Sequence, residues 1–410
     1  MGAEEEFAFS VNEGSVLQQF TELHPEIVVD FAAVNPPAPG QDWYTALAEN
    51  ADCFTWFSPD AWDAQTTAQL LNLSPLIERE GKEWVEDYYP GLVDGYRYEG
   101  ELYGLPAVAQ PEVMYYNVDL LAQRGLQPPP MDWTFDDFIQ LVNMVSAEEI
   151  YGYFSPIGDP FFFNGRGTPG YHLNTSPPVI EFDTPEMVNT LKWMVELYQA
   201  GGWLPFREVP WEESTVQQLV AGKVVFWTSP AGSPGRYNLG EPFNYQIGAA
   251  PLPLISDTSV VGYAGLKRGF FISRQAAHPE ACWTWIKFLS AQPATFSGIP
   301  PRQSVAESPA WEALVGKENA IVYRAALENL SQTGSQNDLL LWSPLEVWRS
   351  QALSAALQGA NPEQLLAEAQ HKAEIFVACM ANVNPNQMTR QEVQERTNSC
   401  AKQADPQGDW

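Results

Sequence analysis

Short apolar runs alternate with amphipathic stretches along the first 110 residues of the chain. Runs of strand type occupy residues 7–11, 27–33 and 53–57. Between the first two, residues 15–23 carry apolar side chains at the spacing of one helical face. Because strands that alternate with helices usually form a parallel sheet covered by helices, this pattern predicts an α/β layer.

Helical periodicity dominates the remainder of the chain. Thr134 precedes two acidic residues in a first helical turn, which is the composition of a capped helix start. An amphipathic pattern at residues 186–200 stops at Gly201, a typical C-terminal signal. Further helices are predicted at residues 279–290, 346–358 and 362–378, and further strands at residues 224–227, 245–249 and 270–272.

Irregular stretches at residues 98–117, 251–269 and 298–302 interrupt these elements. In the first, Pro106 forces an extended path through mostly apolar residues, which is typical of a segment that crosses between packed bodies. We therefore expect two lobes joined by three crossing segments. The predicted division gives residues 1–109 and 264–304 to lobe 1, residues 110–263 and 305–375 to lobe 2, and residues 376–410 to a C-terminal tail.

Composition narrows the class of ligand. The 410 residues exceed one ordinary core, and 51 acidic against 21 basic residues give a net charge of −30. A chain this acidic repels nucleic acid and anionic lipid, so neither is an expected partner. Several aromatic rings stand beside turn residues, among them Trp56, Phe154, Trp227 and Trp342. Rings at the ends of elements favour a cleft for neutral, hydroxyl-rich ligands.

The four cysteines fall in two settings. Cys53 and Cys282 lie within apolar runs and are predicted to be buried thiols. Cys379 and Cys400 bracket a polar part of the tail, and a disulfide between them would close a loop of about 20 residues and contribute about 3 kcal/mol. That disulfide favours an oxidising compartment. The cysteines do not have the spacing of a metal site, and we expect no metal and no cofactor.

Nine segments of the chain, in a fixed order, resemble one protein family. They include FTELHPEIVVDF (residues 20–31), YGLPAVAQPEVMYYN (residues 103–117), LVAGKVVFW (residues 219–227) and HPEACWTWIKFLS (residues 278–290). In this order they resemble the extracellular solute-binding proteins of ABC importers, in the carbohydrate-binding branch that includes maltose-binding protein. The resemblance implies a two-lobed, periplasmic-binding-protein-like α/β fold. Each lobe would be a sheet flanked by helices, and three hinge segments would join the lobes.

The resemblance also implies ligand contacts. Trp56 matches a ring that stacks on sugar, Asp60 falls near a carboxylate that accepts sugar hydroxyls, and Gln110 matches a polar contact at the first hinge. Less specific matches to aromatic-rich cleft regions are Tyr115, Phe154, Trp227 and Trp342.

Four further candidates come from their sequence surroundings. Asn12 and Glu13 lie in a tight loop after the first predicted strand, where polar groups would face the cleft. Tyr263 stands between glycines in the second crossing segment. Arg302 follows two prolines near the third, where a sugar contact and a structural salt bridge both remain open.

The preferred hypothesis is a non-enzymatic, monomeric protein that captures a sugar or short oligosaccharide and delivers it to the membrane permease of an ABC importer. Two alternatives remain: a secreted glycoside hydrolase or lyase that uses acidic cleft residues, and the same fold with a non-sugar solute. We expect an extracellular or periplasmic location and a lipid anchor that lies outside this sequence.

Overall fold

The structure is a computed structural model of the chain. It describes residues 13–31, 37, 41–59, 62–147, 149–155, 159–173, 177–205, 215–235, 243–256, 259–260, 268–330, 341–381, 383, 388, 390–408 and 410. The chain divides into two compact units. Unit 1 contains residues 1–112, 230–233 and 264–333, and unit 2 contains residues 113–229, 234–263 and 334–410. Both units combine strands and helices, which confirms the predicted α/β class.

The strands are short and spread over the length of the chain. They are β1 (Cys53–Phe57), β2 (Arg97–Tyr98), β3 (Glu101–Leu102), β4 (Leu105–Val108), β5 (Glu112–Asn117), β6 (Tyr151–Ser155), β7 (Tyr171–His172), β8 (Val179–Ile180), β9 (Trp203–Pro205), β10 (Val224–Pro230), β11 (Ile247–Ala250), β12 (Leu254–Ser256), β13 (Ser259–Val260) and β14 (Arg268–Ile272).

The helices of the first half of the chain are α1 (Glu13–Leu23), α2 (Trp43–Asn50), α3 (Ala64–Gln69), α4 (Ser74–Glu80), α5 (Lys82–Glu86), α6 (Val118–Gln123), α7 (Phe135–Val145), α8 (Asp159–Gly165) and α9 (Pro185–Gln199). Those of the second half are α10 (Thr215–Val220), α11 (Pro279–Ser290), α12 (Gln303–Ala306), α13 (Pro309–Val315), α14 (Lys317–Leu330), α15 (Ser343–Leu357), α16 (Pro362–Met380) and α17 (Arg390–Ala404).

Unit 1 contains a three-stranded sheet in the order β1-β14-β4, and both strand pairs are antiparallel. The parallel arrangement expected for this part of the chain is wrong for these pairs. The partner of β1 comes from a distant part of the sequence, which local periodicity does not encode. Residues 27–31, predicted as strand, form none, and residues 7–11 lie outside the described residues.

Unit 2 contains a five-stranded sheet in the order β11-β5-β10-β6-β9. Strand β6 pairs in parallel with β10 and β9, whereas β11 is antiparallel to β5. All residues of β5 and β10 are buried, as expected for interior strands covered on both faces. The short pair β12 and β13 lies in residues 251–269, where the sequence predicted no element before residue 270.

Helix boundaries follow the local signals in the sequence. Helix α7 begins after Thr134, which is the N-cap that the sequence predicted. The side chains of Thr134 and Asp137 also form a capping box. Helix α9 ends before Gly201, which has a φ of 75° and can reverse the chain without the strain that a Cβ atom would add.

The chain passes between the two units at residues 112/113, 263/264 and 333/334, with residues 230–233 as a short additional segment of unit 1. The lobe boundaries proposed from the sequence were 109/110, 263/264 and 304/305. Unit 2 also includes the C-terminal tail, where α17 packs against α16.

All four cysteines form disulfides. The predicted pair Cys379–Cys400 is confirmed and joins α16 to α17. The prediction of buried thiols at Cys53 and Cys282 is wrong, because these residues form a second disulfide that joins β1 to α11. Cysteines in apolar segments can also form disulfides. Because the two cysteines are 229 residues apart in the sequence, local sequence patterns gave no indication that they pair.

Candidate functional site

A pair of stacked tryptophans stands at the start of α2 and on β1 in unit 1. The ring centroids of Trp43 and Trp56 lie 4.5 Å apart with an interplanar angle of 29°. Both side chains are half-buried, and the edge of Phe57 meets Trp56 at 5.5 Å. The pair forms a flat, partly accessible apolar surface, the kind of surface that stacks on the C–H face of a sugar ring.

Local capping positions Trp43. Asp42 is the N-cap of α2 and accepts hydrogen bonds from the backbone N–H and the hydroxyl of Thr45. Trp43 therefore begins the first helical turn with a fixed direction. Sequence analysis identified Trp56 but missed Trp43. The available signal was an acidic N-cap followed directly by an aromatic residue.

The end of β1 is fixed by bonds to neighbouring segments. The hydroxyl of Tyr44 donates to the carbonyl of Phe57, and Ser58 Oγ donates to the carbonyl of Gly95 at 3.1 Å. The indole N–H of Trp62 donates to the same Gly95 carbonyl at 2.9 Å. These bonds hold the backbone next to Trp56 in place before a ligand arrives.

The guanidinium of Arg268 lies beside Phe57, the residue that follows Trp56 on β1. Arg268 lies opposite Phe57 in the β1–β14 register, and its guanidinium stands 5.2 Å from the centre of the Phe57 ring. A guanidinium donates hydrogen bonds in a fixed fork that matches carboxylate and phosphate oxygens and also hydroxyl oxygens. Sequence analysis did not single out Arg268, because its position beside β1 depends on tertiary pairing.

Gln110 is half-buried and bonded to the backbone of unit 1. Its Nε2 donates to the carbonyl of Ser297 at 2.8 Å. Gly298, with a φ of 140°, allows the two chain segments to approach, since an added Cβ would stand 3.0 Å from Gln110 Cγ. Ala109 and Ile299 complete the contact with two backbone hydrogen bonds of 2.9 Å. The amide of Gln110 therefore ties two segments of unit 1 together.

Tyr115, Trp227 and Phe154 form an aromatic row on the adjacent strands β5, β10 and β6 of unit 2. Trp227 lies opposite Phe154 in the register, and its ring stacks with Tyr115 at a centroid distance of 6.0 Å. The preceding residues on two of these strands, Tyr153 and Phe226, belong to the hydrophobic core of unit 2. Because successive side chains of a strand point to opposite faces of the sheet, the aromatic row lies on the other face.

The rings of this row are buried, with relative exposures of 1% for Tyr115 and 0% for Phe154 and Trp227. Trp227 also donates its indole N–H to the carbonyl of Pro234 at 3.0 Å. Sequence analysis expected accessible rings at Phe154 and Trp227 because turn residues follow them, and at Tyr115 because the resemblance places it in a cleft region. In the structure they pack within strands whose residues are covered on both faces, and their contact with ligand stays a prediction.

Arg302 occupies a structural ion pair in unit 1. Its Nε lies 2.7 Å from Asp87 Oδ2, and its guanidinium stands 5.2 Å from the centre of the Trp84 ring. Burial raises the pKa of the Asp87 carboxyl, but hydrogen bonds from the Ser304 side chain and backbone and from Arg302 outweigh it and lower that pKa. The sequence left open a structural salt bridge and a sugar contact for Arg302, and the structure shows the salt bridge.

Trp342 packs on unit 2, where its half-buried ring meets Phe376 edge-on at 5.8 Å. Asn12, Asp60 and Tyr263 lie outside the described residues. Glu13 begins α1, and its side chain lies outside the description. The structure thus brings together Trp56 with the unpredicted Trp43, and Tyr115 with Phe154 and Trp227, within their own units.

Within the ranges that the structure describes, His, Cys, Asp and Glu side chains form no group of three or more with the geometry of a metal site. In the same ranges, no helix has both the length and the apolar character required to span a bilayer.

Comparisons with known proteins agree with the fold. A family model described as bacterial extracellular solute-binding protein matches residues 15–319. A curated relative is the sn-glycerol-3-phosphate-binding periplasmic protein UgpB of Shigella flexneri, 24% identical over 193 residues, which cover 43% of this chain and 42% of the relative. The match thus spans about two fifths of the length of this curated relative.

Two solved structures share the fold over nearly their whole length. UgpB from Mycobacterium tuberculosis, in complex with glycerophosphocholine, has a TM-score of 0.64 at 16% identity and covers 89% of this chain and 94% of its own. The sugar-binding protein MalE from Xanthomonas citri has a TM-score of 0.63 at 19% identity, with 100% and 98% covered. With the family model matching most of the chain, this protein belongs to the bacterial extracellular solute-binding proteins and has their two-lobed α/β fold.

Proposed function

We propose that this protein captures a sugar or short oligosaccharide outside the cytoplasm and delivers it to the membrane permease of an ABC importer. The stacked pair of Trp43 and Trp56 is the observation that carries the proposal. It offers a partly accessible aromatic surface on a rigid part of unit 1. The similarity to a sugar-binding MalE protein supports the same ligand class.

The chemistry of unit 1 favours a neutral ligand with many hydroxyl groups. The aromatic rings pack against the C–H face of a pyranose or polyol, and polar groups at their edge compete with water for its hydroxyls. The net charge of −30 lowers the local concentration of anionic solutes. The net charge does not lower the local concentration of a neutral ligand in this way.

A second candidate ligand class is a glycerol phosphodiester. It is favoured by Arg268, whose guanidinium lies beside Phe57 and so near the tryptophan pair, and by the similarity to a UgpB that binds glycerophosphocholine. A single nearby arginine is a weak phosphate site, since tight anion sites usually combine several donors. We therefore place this class second. The family assignment gives no support to a glycoside hydrolase or lyase.

Isothermal titration calorimetry against maltose, maltotetraose, mannitol and glycerophosphocholine tests the proposal. We expect saturable binding of a sugar or polyol, accompanied by a change in tryptophan fluorescence. Trp43→Ala and Trp56→Ala should each weaken that binding by about tenfold or more, because each removes half of the stacking surface.

Trp84→Ala is the matched control, since Trp84 is also a half-buried tryptophan of unit 1 but packs on Trp283 and Tyr88. It should leave the affinity unchanged. Binding of glycerophosphocholine alone, with loss on Arg268→Gln, would move the assignment to the second ligand class. Turnover of an oligosaccharide over hours would contradict a binding role.

The location and oligomeric state that we propose are an extracytoplasmic monomer with a lipid anchor. Family membership and the two disulfides Cys53–Cys282 and Cys379–Cys400 support an oxidising, extracytoplasmic environment. Light scattering on the purified protein tests the monomer. Labelling of the full-length gene product with a fatty-acid analogue tests the anchor.

A further inference from the structure

Three aromatic rings stack on one another on unit 2, and the outermost of them belongs to Phe243. Trp227 is the shared member: its ring centroid lies 6.0 Å from that of Tyr115 and 5.7 Å from that of Phe243, with interplanar angles of 25° and 27°. Tyr115 and Trp227 are buried, whereas Phe243 is half-buried. This aromatic stack, defined by Tyr115, Trp227 and Phe243, therefore ends in a ring that solvent partly reaches.

Phe243 packs on the ring that the sequence proposed as a ligand contact. The side chain of Trp227 is fully buried, and its indole N–H donates to the carbonyl of Pro234 at 3.0 Å. A ligand cannot touch Trp227 unless the side chains that pack on it move. The accessible aromatic surface of the stack therefore belongs to Phe243.

Tyr245 fixes the position of Phe243 from one side. The two rings meet edge-on at a centroid distance of 5.3 Å, and the Tyr245 hydroxyl donates to the carbonyl of Leu219 at 2.7 Å. Gly222, with a φ of 72°, leaves room for the Tyr245 ring, since an added Cβ would lie 3.1 Å from it. Because two anchored rings pack on Phe243, a ligand that stacks there loses little affinity to the ordering of the Phe243 side chain.

Most half-buried phenylalanines in the described part of the chain support a core, but Phe243 does not. Three of them pack against the hydrophobic core of unit 1: Phe54, Phe288 and Phe296. Within the same described residues, Phe57 and Phe243 pack against neither of the two cores. Phe57 is the ring that meets Trp56 in the candidate sugar site. Phe243 is thus set apart, as Phe57 is, from the rings whose task is core packing.

The aromatic stack lies close to the points where the chain passes between the units. Tyr115 follows the passage at residues 112/113, and Trp227 precedes the one at residues 229/230. Pro234, which accepts the indole N–H of Trp227, is the residue at which the chain returns to unit 2. The outer ring of the stack is thus connected, through one buried ring, to the backbone of a crossing segment.

We propose that Phe243 is a ligand-contact residue of unit 2, and that one pyranose ring of a bound sugar stacks its C–H face on the outer face of the Phe243 ring. The proposal rests on the proposed function for the class of ligand, and it narrows that class. A phenylalanine ring has no hydrogen-bonding group, so it recognises the flat apolar face of a cyclic sugar. An acyclic polyol has no fixed face of this kind. Trp227 and Tyr115 support the contact from behind.

Isothermal titration calorimetry with maltose and mannitol tests the proposal on the Phe243→Leu and Phe243→Tyr variants. Leucine has a similar bulk and keeps Trp227 covered, but it has no flat ring. Phe243→Leu should therefore weaken maltose binding by about tenfold, whereas Phe243→Tyr keeps the ring and should bind within about twofold of the unaltered protein. The unaltered protein should prefer maltose to mannitol, and Phe243→Leu should reduce that preference.

Tyr198→Leu is the matched control, since Tyr198 is a half-buried ring of unit 2 that packs against the main core. It should leave the affinity for maltose unchanged. A second readout comes from 4-fluorophenylalanine placed at position 243, whose ¹⁹F NMR signal should shift saturably with maltose. A ring that serves only to cover Trp227 predicts full maltose affinity for Phe243→Leu. Thermal unfolding of each variant establishes that a lost affinity reflects the site and not the fold.

Three results would overturn the proposal. The first is a Phe243→Leu protein that binds maltose as tightly as Tyr198→Leu, and the second is a preference for maltose over mannitol that survives this change in full. The third is a loss of affinity only for glycerophosphocholine, whose quaternary ammonium also packs on aromatic rings. The first two results, with maltose bound, leave the proposed function standing. An absence of sugar binding in every protein, the unaltered one included, would contradict both.

Discussion

At the scale of single residues, Asp87 shows how one half-buried carboxylate organises a segment of unit 1. It accepts hydrogen bonds from Arg302 Nε at 2.7 Å, Ser304 Oγ at 2.6 Å and the Ser304 backbone N–H at 2.9 Å. These bonds orient the start of α12. They also hold Arg302 in an ion pair, while its contact with a ligand stays a prediction.

We predict that Asp87→Asn lowers the free energy of unfolding by about 1–3 kcal/mol at pH 7, because Arg302 loses its charged partner. The pKa of Asp87 is lower in the folded protein than in the unfolded chain, where it is about 3.9. The stabilisation is therefore present above about pH 4 and is lost as the pH falls through the folded pKa. Urea unfolding of both proteins from pH 3 to pH 7 measures this difference.

The difference in stability should shrink as the pH approaches 3. Asp94→Asn is a control, since Asp94 is an exposed carboxylate near Arg97 in the same unit, with a separation of 3.7 Å. That change should cost less than about 1 kcal/mol at any pH. An Asp87→Asn effect that is constant over the whole pH range would contradict the role assigned to the ionised carboxylate.

At the scale of elements, the capping box of α7 links a local sequence signal to the position of a pocket. Thr134 and Asp137 exchange hydrogen bonds between side chain and backbone, and Phe135 and Asp136 of the same turn line a pocket on unit 2. The pKa of Asp137 is lowered by its hydrogen bonds from the Thr134 side chain and backbone. The cap thus fixes the first turn from which the pocket is built.

Thr134→Ala should destabilise the protein by about 1 kcal/mol, the usual cost of losing an N-cap. Thr134→Ser keeps the hydroxyl and should restore most of the stability. Thermal unfolding monitored by circular dichroism gives both values. Equal melting temperatures for the Ala and Ser variants would show that the hydroxyl of residue 134 does not cap the helix in solution.

The elements that could be predicted from the sequence are those whose signals are local. Helix α7 has its own cap, α9 has Gly201 at its end, and β1 is a compact apolar run. The predicted start of α7 and the predicted bounds of α9 and β1 therefore agree closely with the structure. Long-range pairings were not predictable in this way. The antiparallel partner of β1 and the bond between Cys53 and Cys282 depend on segments that meet only after folding.

The same distinction between local signals and long-range pairing applies to the residues of the candidate site. Trp56 was identified through its position on β1, but its partner Trp43 comes from another element and was missed. Tyr115, Phe154 and Trp227 were proposed as rings of the cleft, and in the structure they are buried on the adjacent strands β5, β10 and β6. Sequence patterns report which residues are aromatic and which turn residues stand beside them, while the exposure of a ring depends on the side chains that pack over it.

At the scale of the whole molecule, each unit has its own core and its own disulfide. Cys53–Cys282 ties β1 to α11 in unit 1, and Cys379–Cys400 ties α16 to α17 in unit 2. In the chain-entropy model the first, with a separation of 229 residues, stabilises by about 5 kcal/mol and the second, with 21, by about 3 kcal/mol.

Replacement of each pair by serines should therefore destabilise the protein by different amounts, with the larger loss for Cys53→Ser/Cys282→Ser. Differential scanning calorimetry of the two double variants, and of the untreated and reduced protein, measures the losses. If the units unfold in separate steps, each variant should lower one step only. Losses of equal size would show that loop length does not control the stabilisation here.

The C-terminal tail is part of the core of unit 2 and not an appendage. Cys400 and Ala401 of α17 are fully buried, and Trp410 meets the buried Trp348 edge-on at 5.4 Å. Asp405 accepts hydrogen bonds from the indole of Trp348 and from Lys372, both at 3.2 Å. Removal of this segment exposes apolar surface of α15 and α16 and leaves the Trp348 indole without its acceptor.

We predict that a chain ending at residue 389, with Cys379→Ser to avoid a free thiol, loses at least about 3 kcal/mol of stability in unit 2. The unfolding step of unit 1 and the affinity for a sugar bound at Trp43 and Trp56 should stay unchanged. The double variant Cys379→Ser/Cys400→Ser, which keeps the tail, separates the loss of packing from the loss of the disulfide. If the shortened chain unfolds like that double variant, the packing of α17 and Trp410 contributes nothing, and the tail acts only through its covalent bond.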